Sequence, residues 1–329
     1  MGPHNSSKGA KTIIIVGAGI SGLTAAIALA RRGWHISLLE RSKFLSEAGA
    51  GIQLGPNAMH ILQDLNVASE LAPYANQTKA IQINDGLTSK RLTSLPLGPD
   101  AMSKYGAPYI TIHRGDLQSA LLSAVANYPE IELLTGFKAG SIERCNNKIT
   151  VSDENSTQKA CGEALIAADG IWSHIRSNNF VSEDLAYTGK TASRSLVPIS
   201  QVPKSFRSDC THIWLAPNAH LVHYPVKGGK VLNVVAIIDE VLAGAGWETT
   251  QNAEIVHDAF SLWAREVRDF IHSIVGWKKW SLFELPELST WSSGKTVLIG
   301  DAAHPVLPFL AQGGGLAIED GFEIAQCLT

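Results

Sequence analysis

Residues 11–40 constrain the fold more than any other part of the chain. They read KTIIIVGAGISGLTAAIALARRGWHISLLE: an apolar run, a glycine cluster, an alanine- and leucine-rich stretch ending at Gly33, and a second apolar run. This order predicts a strand, a helix and a second strand, a βαβ unit of the usual length of about 30 residues. The chain is therefore expected to be an α/β protein.

The glycine cluster has the spacing GxGxxG, with Gly17, Gly19 and Gly22. In such a turn the first glycine permits the tight bend, the second lets a pyrophosphate approach the backbone, and the third lets the helix pack on the strand. The N-terminus of the helix offers N–H donors to the phosphates. Glu40 follows at the end of the second strand, where an acid can bind a ribose hydroxyl. The unit predicts a bound dinucleotide, although tight packing alone would also use these glycines.

Composition excludes several classes of protein. The 329 residues carry a net charge of −3, which gives no reason to expect a nucleic-acid partner. No apolar run approaches the roughly 18 residues that span a bilayer. The four cysteines form no CxxC pair, which favours a reducing, cytoplasmic location and offers no metal site. Residues 1–10 are polar and are expected to be a disordered lead-in.

GxGxxG alone does not separate NAD from FAD, but four later stretches do so together. They are EAGAGIQLGPNA (47–58), a glycine loop before a helix; HRGDL (113–117), with Arg114 before a helix; ALIAADGIWSHIRS (164–177), a buried strand ending in Asp169 and Gly170; and GDAAHPVLPFLAQGGGLAIED (300–320). The last stretch follows an apolar strand, places Asp301 at its end, and enters a helix through three glycines. Its prolines fix the path of the loop, and its glycines let backbone N–H groups approach a flat ring.

With these motifs in this order, the chain resembles the group A flavin-dependent aromatic hydroxylases, the para-hydroxybenzoate hydroxylase superfamily. It is most similar to their salicylate-hydroxylase-like branch and the fungal FAD-dependent monooxygenases. The resemblance implies a Rossmann-like FAD-binding domain interleaved with a smaller β-sheet substrate domain. It also implies non-covalent FAD, NADH or NADPH bound transiently in a groove, and O2 as co-substrate. A flavin C4a-hydroperoxide would then hydroxylate a phenolic or polyketide-type aromatic molecule, and a place in secondary metabolism is among the expectations.

The resemblance also assigns roles to single residues. Glu40 would hold the adenosine ribose, Arg114 the pyrophosphate or ribityl region, and Asp301 the ribityl chain. Asp169 and Gly170 would serve both FAD and NAD(P)H. Backbone groups lining the flavin are expected at Ala50, Gly51, Gly314 and Gly315. The family frequently has an asparagine at the position of Gly315. Taken singly, Asp301 and Asp169 are also compatible with a helix cap and a chain turn, and Arg114 with a solvated arginine.

The middle of the chain is expected to form the substrate sheet. Strand-like runs occur in TASRSLVPI, HIWLAPNAHLVHYPV and VLNVVAIID, a strand pair is expected within residues 79–110, and AEIVHDAFSLWAREVRDFIHSI predicts an amphipathic helical cover. On a strand, His220 and Tyr224 share one side and His223 faces the other. The resemblance turns His220 and Tyr224 toward the substrate, with Arg194 on a neighbouring strand. These three are the candidate catalytic or substrate-positioning residues, and a purely structural role is the alternative.

The predicted FAD-binding domain comprises residues 11–78, 111–182 and 289–329, and the substrate domain comprises 79–110 and 183–288. A nicotinamide-only dehydrogenase would explain residues 11–40 but would leave the later motifs unused. A flavin halogenase would carry WxWxIP, which is absent. The most serious alternative is a non-catalytic or poorly coupled, truncated flavoprotein, since the chain stops within the helix after residue 315 and the C-terminal helices of the family are expected to be missing. Substrate and oligomeric state are left open.

Overall fold

The computed structural model describes residues 11–45, 50–180, 184–240 and 249–328. The predicted lead-in at residues 1–10 lies outside them. The strands of the described part are β1 (Thr12–Val16), β2 (His35–Glu40), β3 (Gly51–Leu54), β4 (Asn76–Gln77), β5 (Ala80–Asp85), β6 (Arg91–Pro96), β7 (Ile110–His113), β8 (Ile131–Thr135), β9 (Ala139–Cys145), β10 (Lys148–Asp153), β11 (Lys159–Gly162), β12 (Ala164–Ala167), β13 (Ala186–Pro198), β14 (Thr211–Ala216), β15 (Ala219–Val226), β16 (Val231–Asp239), β17 (Thr249–Thr250), β18 (Lys278–Glu284), β19 (Ser292–Ser293) and β20 (Thr296–Leu298). Its helices are α1 (Ile20–Ala30), α2 (Pro56–Asp64), α3 (Ala68–Leu71), α4 (Pro99–Tyr105), α5 (Arg114–Val125), α6 (His174–Asn179), α7 (Ala253–Ala259), α8 (Arg265–Ser273) and α9 (Gly313–Cys327).

The predicted βαβ unit forms the centre of a six-stranded sheet in the order β19-β20-β12-β1-β2-β8. All neighbours are parallel except β19 and β20. The middle strands are continuously apolar because both faces of the sheet are covered. On one face, α1 is completely buried beneath α5 and α9, and Ile13, Leu23 and Leu38 lie in the shared core.

A second sheet has eight strands in the order β17-β18-β13-β16-β15-β14-β5-β6. It contains the expected strands of the middle section, and the pair predicted within residues 79–110 is present as β5 and β6 at its edge. The chain therefore leaves the first sheet, contributes two strands to the second, and returns. The domain boundaries drawn from the sequence remain a prediction.

One side of the eight-stranded sheet, the outer side, is covered by α7 and α8. Trp214 on β14 packs there in one core with Phe260, Phe270 and Trp277. The stretch predicted from the sequence as an amphipathic helical cover forms two helices, because α7 ends at Ala259 and α8 begins at Arg265.

Two three-stranded sheets complete the fold, β3-β7-β4 and β11-β10-β9. The first lies between the two large sheets. The glycine loop predicted at residues 47–58 is corrected here: residues 51–54 form strand β3, paired with β7, and the expected helix begins at Pro56. Residues 47–49 of that prediction lie outside the described residues.

Candidate active site

Of the three motif glycines in the turn between β1 and α1, only Gly19 has open space beside its Cα. Gly17 has φ +105°, and a Cβ there would lie 2.2 Å from the Ala168 carbonyl oxygen. A Cβ on Gly22 would lie 1.9 Å from the Gly17 carbonyl oxygen, whereas a Cβ on Gly19 would meet nothing within 4 Å. Helix α1 has no side-chain cap. Its first N–H groups and its partial positive charge therefore face the open space over Gly19, which suits a phosphate.

Glu40 at the end of β2 lies beside this turn. Its carboxylate accepts hydrogen bonds from the N–H of Ala18 at 2.9 Å and from the N–H of Ser42 at 2.8 Å. These hydrogen bonds connect the end of β2 to the turn between β1 and α1. An adenosine ribose is expected beside this connection.

Ala50 and Gly51 lie where the three-stranded sheet β3-β7-β4 meets the eight-stranded sheet. The Ala50 carbonyl accepts the backbone N–H of Arg114, the first residue of α5. The Gly51 N–H donates to Asn233 Oδ1 at 2.8 Å, and a Cβ on Gly51 would lie 2.6 Å from the Tyr224 ring. Gly51 is therefore a close backbone contact between the two halves of the site.

Asp301 begins the loop that follows β20. The residue is exposed, but surrounding protein raises the pKa of its carboxyl by desolvation; Arg114 and His304 oppose this rise, and Asp320 adds to it. A carboxylate that solutes can reach can accept hydrogen bonds from sugar hydroxyls. The structure brings Asp301 close enough to Arg114 for their charges to interact.

Asp320 on α9 fixes this loop. Its Oδ2 accepts the Gly300 N–H at 2.7 Å and pairs with His304 Nε2 at 2.6 Å. The hydrogen bond that His304 donates to the Asp320 carboxylate raises the pKa of His304, and burial opposes the rise. Sequence reasoning missed both residues, although each stands within the quoted stretch at residues 300–320.

Asp169 has partners within its own loop. Oδ1 accepts the Ser173 hydroxyl at 2.6 Å, and Oδ2 accepts the Ile175 N–H at 3.2 Å. Gly170 has φ +79°, which favours glycine. Asp169 thus accepts hydrogen bonds from residues at the start of α6, and Gly170 lies half-buried.

Buried Arg176 joins this loop to the loop of Asp301. It donates to the Ile171 carbonyl at 2.6 Å and to the Ala302 carbonyl at 2.9 Å. Burial lowers its pKa, and Asp169 opposes the effect. The arginine sits in the quoted stretch SHIRS, but nothing in the sequence alone indicates that two distant loops share it.

Helix α9 begins with three glycines. Gln312 precedes them without capping the helix, and Gly315 is buried. A Cβ on Gly314 would make ordinary contacts with Ile52 and Leu54 at 3.6 Å, and one on Gly315 would lie 3.5 Å from Asn57 Nδ2. The first turn of α9 is therefore a second uncapped set of backbone donors, close to β3.

The eight-stranded sheet turns its inner side, opposite to α7 and α8, toward these loops. His220 and Tyr224 lie on this side, and the His220 ring contacts Phe309 of the loop before α9, with 5.6 Å between centroids. His223 lies on the outer side, as predicted, where it accepts the indole N–H of Trp214.

Arg194 on β13 also lies on the inner side, since it pairs with Val235, which pairs with Val222 between His220 and Tyr224. Its guanidinium lies over the Trp280 ring, 5.0 Å from the centroid. Tyr224 is buried, and burial raises its pKa, while the charge of Arg194 opposes the rise.

The comparison with known families decides the class. A family model described as an FAD binding domain matches residues 10–329. The chain belongs to this family. Within it, the chain is a group A flavin-dependent aromatic hydroxylase, an FAD-dependent monooxygenase.

Relatives support this assignment along almost the whole chain. The 3-hydroxybenzoate 6-hydroxylase of Polaromonas naphthalenivorans is 34% identical over 96% of this chain and 78% of its own length. The 6-hydroxynicotinate 3-monooxygenase of Pseudomonas fluorescens is 32% identical over 96% of this chain and 82% of its own length.

Solved structures share the fold. Klebsiella pneumoniae HpxO complexed with FAD and uric acid has a TM-score of 0.84 and 22% identity, covering 97% of this chain and 80% of that one. A salicylate hydroxylase substrate complex has a TM-score of 0.82 and 22% identity, covering 98% of this chain and 80% of that one.

The residues of this monooxygenase fit FAD on their own geometry. Two glycine-lined helix N-termini lack side-chain caps, and the exposed residue Asp301 lies close enough to Arg114 for their charges to interact. Among the residues that the structure describes, no three His, Cys, Asp or Glu side chains form a metal site, and no helix is long and apolar enough to cross a membrane.

Proposed function

We propose that this monooxygenase uses NAD(P)H and O2 to hydroxylate an electron-rich aromatic molecule held between the inner side of the eight-stranded sheet and the flavin. The observation that carries the proposal is the contact of His220 with Phe309, because it brings a titratable side chain of the sheet against the loop that leads into the glycine helix. The four cysteines are free thiols, which supports a reducing, cytoplasmic location.

FAD would be held by groups at both ends of the site. The open N–H groups at Gly19 suit its pyrophosphate, Glu40 its adenosine ribose, and Asp301 with Arg114 its ribityl and phosphate region. The first turn of α9 suits the carbonyl edge of its ring. When bound and reduced by NAD(P)H, FAD supplies the activation of O2.

His220 is suited to accept a proton from a phenol. Burial lowers its pKa, and the charge of Lys190 lowers it further, so the imidazole is neutral near pH 7 with a ring nitrogen free to accept. A deprotonated phenol is more electron-rich and a better target for an electrophilic oxygen.

Tyr224 acts differently, because its raised pKa keeps the phenol protonated. It can donate a hydrogen bond or pass a proton on, but it does not serve as a resident base. Arg194, held over Trp280, places a positive charge near it. We propose that this pair orients the substrate and favours its ionised form.

The test uses purified, FAD-loaded protein. NAD(P)H oxidation is measured with a panel of hydroxylated aromatic acids, amides and polycyclic phenols, and hydroxylated product and hydrogen peroxide are quantified. We expect at least one compound to accelerate oxidation and to yield product. A protein that binds FAD but forms only peroxide with every compound would favour the poorly coupled flavoprotein instead.

A further inference from the structure

A cavity of about 180 Å³ lies on the inner side of the eight-stranded sheet, next to the loop before α9. The apolar part of its lining includes Leu215, Ile237 and Phe309, and His220 lies among them. The cavity therefore contains the neutral base of the proposed function and is walled by the same phenylalanine that His220 contacts.

Its volume fits one aromatic ring. An apolar protein cavity of about 150 Å³ holds one benzene molecule. A cavity of this size accepts one substituted ring, and because it is open to solvent on one side, a fused polycyclic molecule would extend out of it. The apolar walls match the faces of a ring, and the polar groups must match its substituents.

The polar end of the cavity carries an ion pair. Lys190 on β13 pairs with Asp239 on β16, in backbone register and on the inner side. Both side chains are partly exposed, 40% and 48% respectively, so solutes can reach them. An ammonium group has three donors, and Asp239 occupies one of them.

The charge of Lys190 acts on His220 inside the cavity, because it contributes to the lowered pKa of that histidine. Arg194 lies farther along the inner side, in the register of Val222 and Val235, with its guanidinium over Trp280. Among the described residues that line the cavity, Lys190 is the cation.

We propose that Lys190 is a specificity-determining residue, which binds the carboxylate of a single-ring hydroxylated aromatic acid whose hydroxyl lies at His220. Asp239 holds the ammonium group at the rim and limits its affinity for free anions. The proposal rests on the proposed function and names its substrate class.

The test compares wild-type holoenzyme with Lys190→Met, which keeps the length of the side chain and removes its charge, and with Asp239→Asn, which keeps Lys190 and removes its partner. Dissociation constants of 3-hydroxybenzoate and of its neutral isostere 3-hydroxybenzamide are measured by the change in flavin absorbance. A hydroxynaphthoate serves as the two-ring probe.

We expect wild type to favour the acid over the amide by about tenfold or more, the range of a hydrogen bond to a charged group. Lys190→Met should bring this ratio close to one with little change for the amide. Asp239→Asn should tighten the acid, because the competing carboxylate is gone. The hydroxynaphthoate should bind more weakly than the hydroxybenzoate.

An unchanged acid-to-amide ratio in Lys190→Met would overturn the assignment while leaving the proposed function intact, provided that wild type still forms hydroxylated product. Equal weakening of acid and amide in both variants would also overturn it, since that pattern indicates a structural ion pair. If wild type forms no product from any compound of the wider panel, the proposed function itself fails.

Discussion

The turn that joins β1 to the start of α1, residues 17–22, and the inner side of the eight-stranded sheet position their functional groups by different means. At the turn, Gly17, Gly19 and Gly22 stand within six residues. A Cβ on Gly22 would overlap the Gly17 carbonyl within the turn, and a Cβ on Gly17 would overlap the Ala168 carbonyl that follows β12. On the sheet, Arg194, His220 and Tyr224 come together only through the register of β13, β16 and β15. One short segment of sequence therefore carries the phosphate-binding groups of the cofactor end, and long-range strand pairing assembles the substrate end.

The sharpest test of this contrast compares two single glycine-to-valine substitutions in the same turn. Gly22→Val should prevent folding or cost more than about 4 kcal/mol, because its Cβ would overlap the Gly17 carbonyl. Gly19→Val, with open space at that position, should fold and lose FAD. Circular dichroism and flavin retention separate the two outcomes. If Gly19→Val bound FAD as wild type does, the pyrophosphate would not lie there.

Removing the open carboxylate should weaken the cofactor without unfolding the protein. Asp301→Ala is expected to lose about 1.5–3 kcal/mol of FAD binding, roughly 10- to 150-fold in Kd. Asp301→Asn, which keeps the shape and loses the charge, should fall between. Fluorescence titration of the apoprotein with FAD measures both. Wild-type affinity in both variants would refute the placement of Asp301 at the ribityl chain.

Substitutions on the inner side of the sheet should spare the cofactor. Tyr224→Phe keeps the ring against Gly51, and Arg194→Met keeps apolar contact with Trp280, so both proteins should remain yellow. Product formed per NAD(P)H consumed should fall by about tenfold, the effect of losing one hydrogen bond to a charged group, and peroxide should rise. If the product formed per NAD(P)H consumed were unchanged in both variants, Tyr224 and Arg194 would have a structural role only.

The outer side of the sheet should respond to acid. His212 and His223 are stacked with 4.7 Å between centroids, and burial lowers the pKa of both, to about 4 for His212. The folded protein keeps them neutral where the unfolded chain binds protons. Stability is therefore full above about pH 6.5 and falls as the pH drops toward 4, by about 1 kcal/mol per pH unit for each histidine.

Urea unfolding at pH 7.5 and pH 5 measures this loss. His212→Phe keeps a stacked ring that does not titrate, so its stability should fall less between the two pH values. An equal fall in wild type and variant would show that other groups cause the acid sensitivity.

Much of the cofactor end could be predicted because its signals are local. The glycine spacing, the start of α2 at Pro56 and the glycine entry into α9 follow from the conformations that Gly and Pro permit. Arg176 and Asn233 could not be predicted, since each acts on residues far along the chain. Asn233 is a polar residue in an apolar strand, and only the folded structure shows that it receives the Gly51 N–H.

That last hydrogen bond has a consequence for how the chain folds. It joins residues 182 positions apart, whereas Ala18 in the turn after β1 bonds to Glu40, 22 positions away. Contacts of such sequence separation form late, because the entropy of closing a long loop must first be overcome. We expect the βαβ unit to be protected from hydrogen exchange early in refolding, and the amide of Gly51 only when β16 has joined its sheet. FAD added during refolding should accordingly bind at the rate of this slow closure. The rate at which flavin binding appears would then report when the eight-stranded sheet is complete.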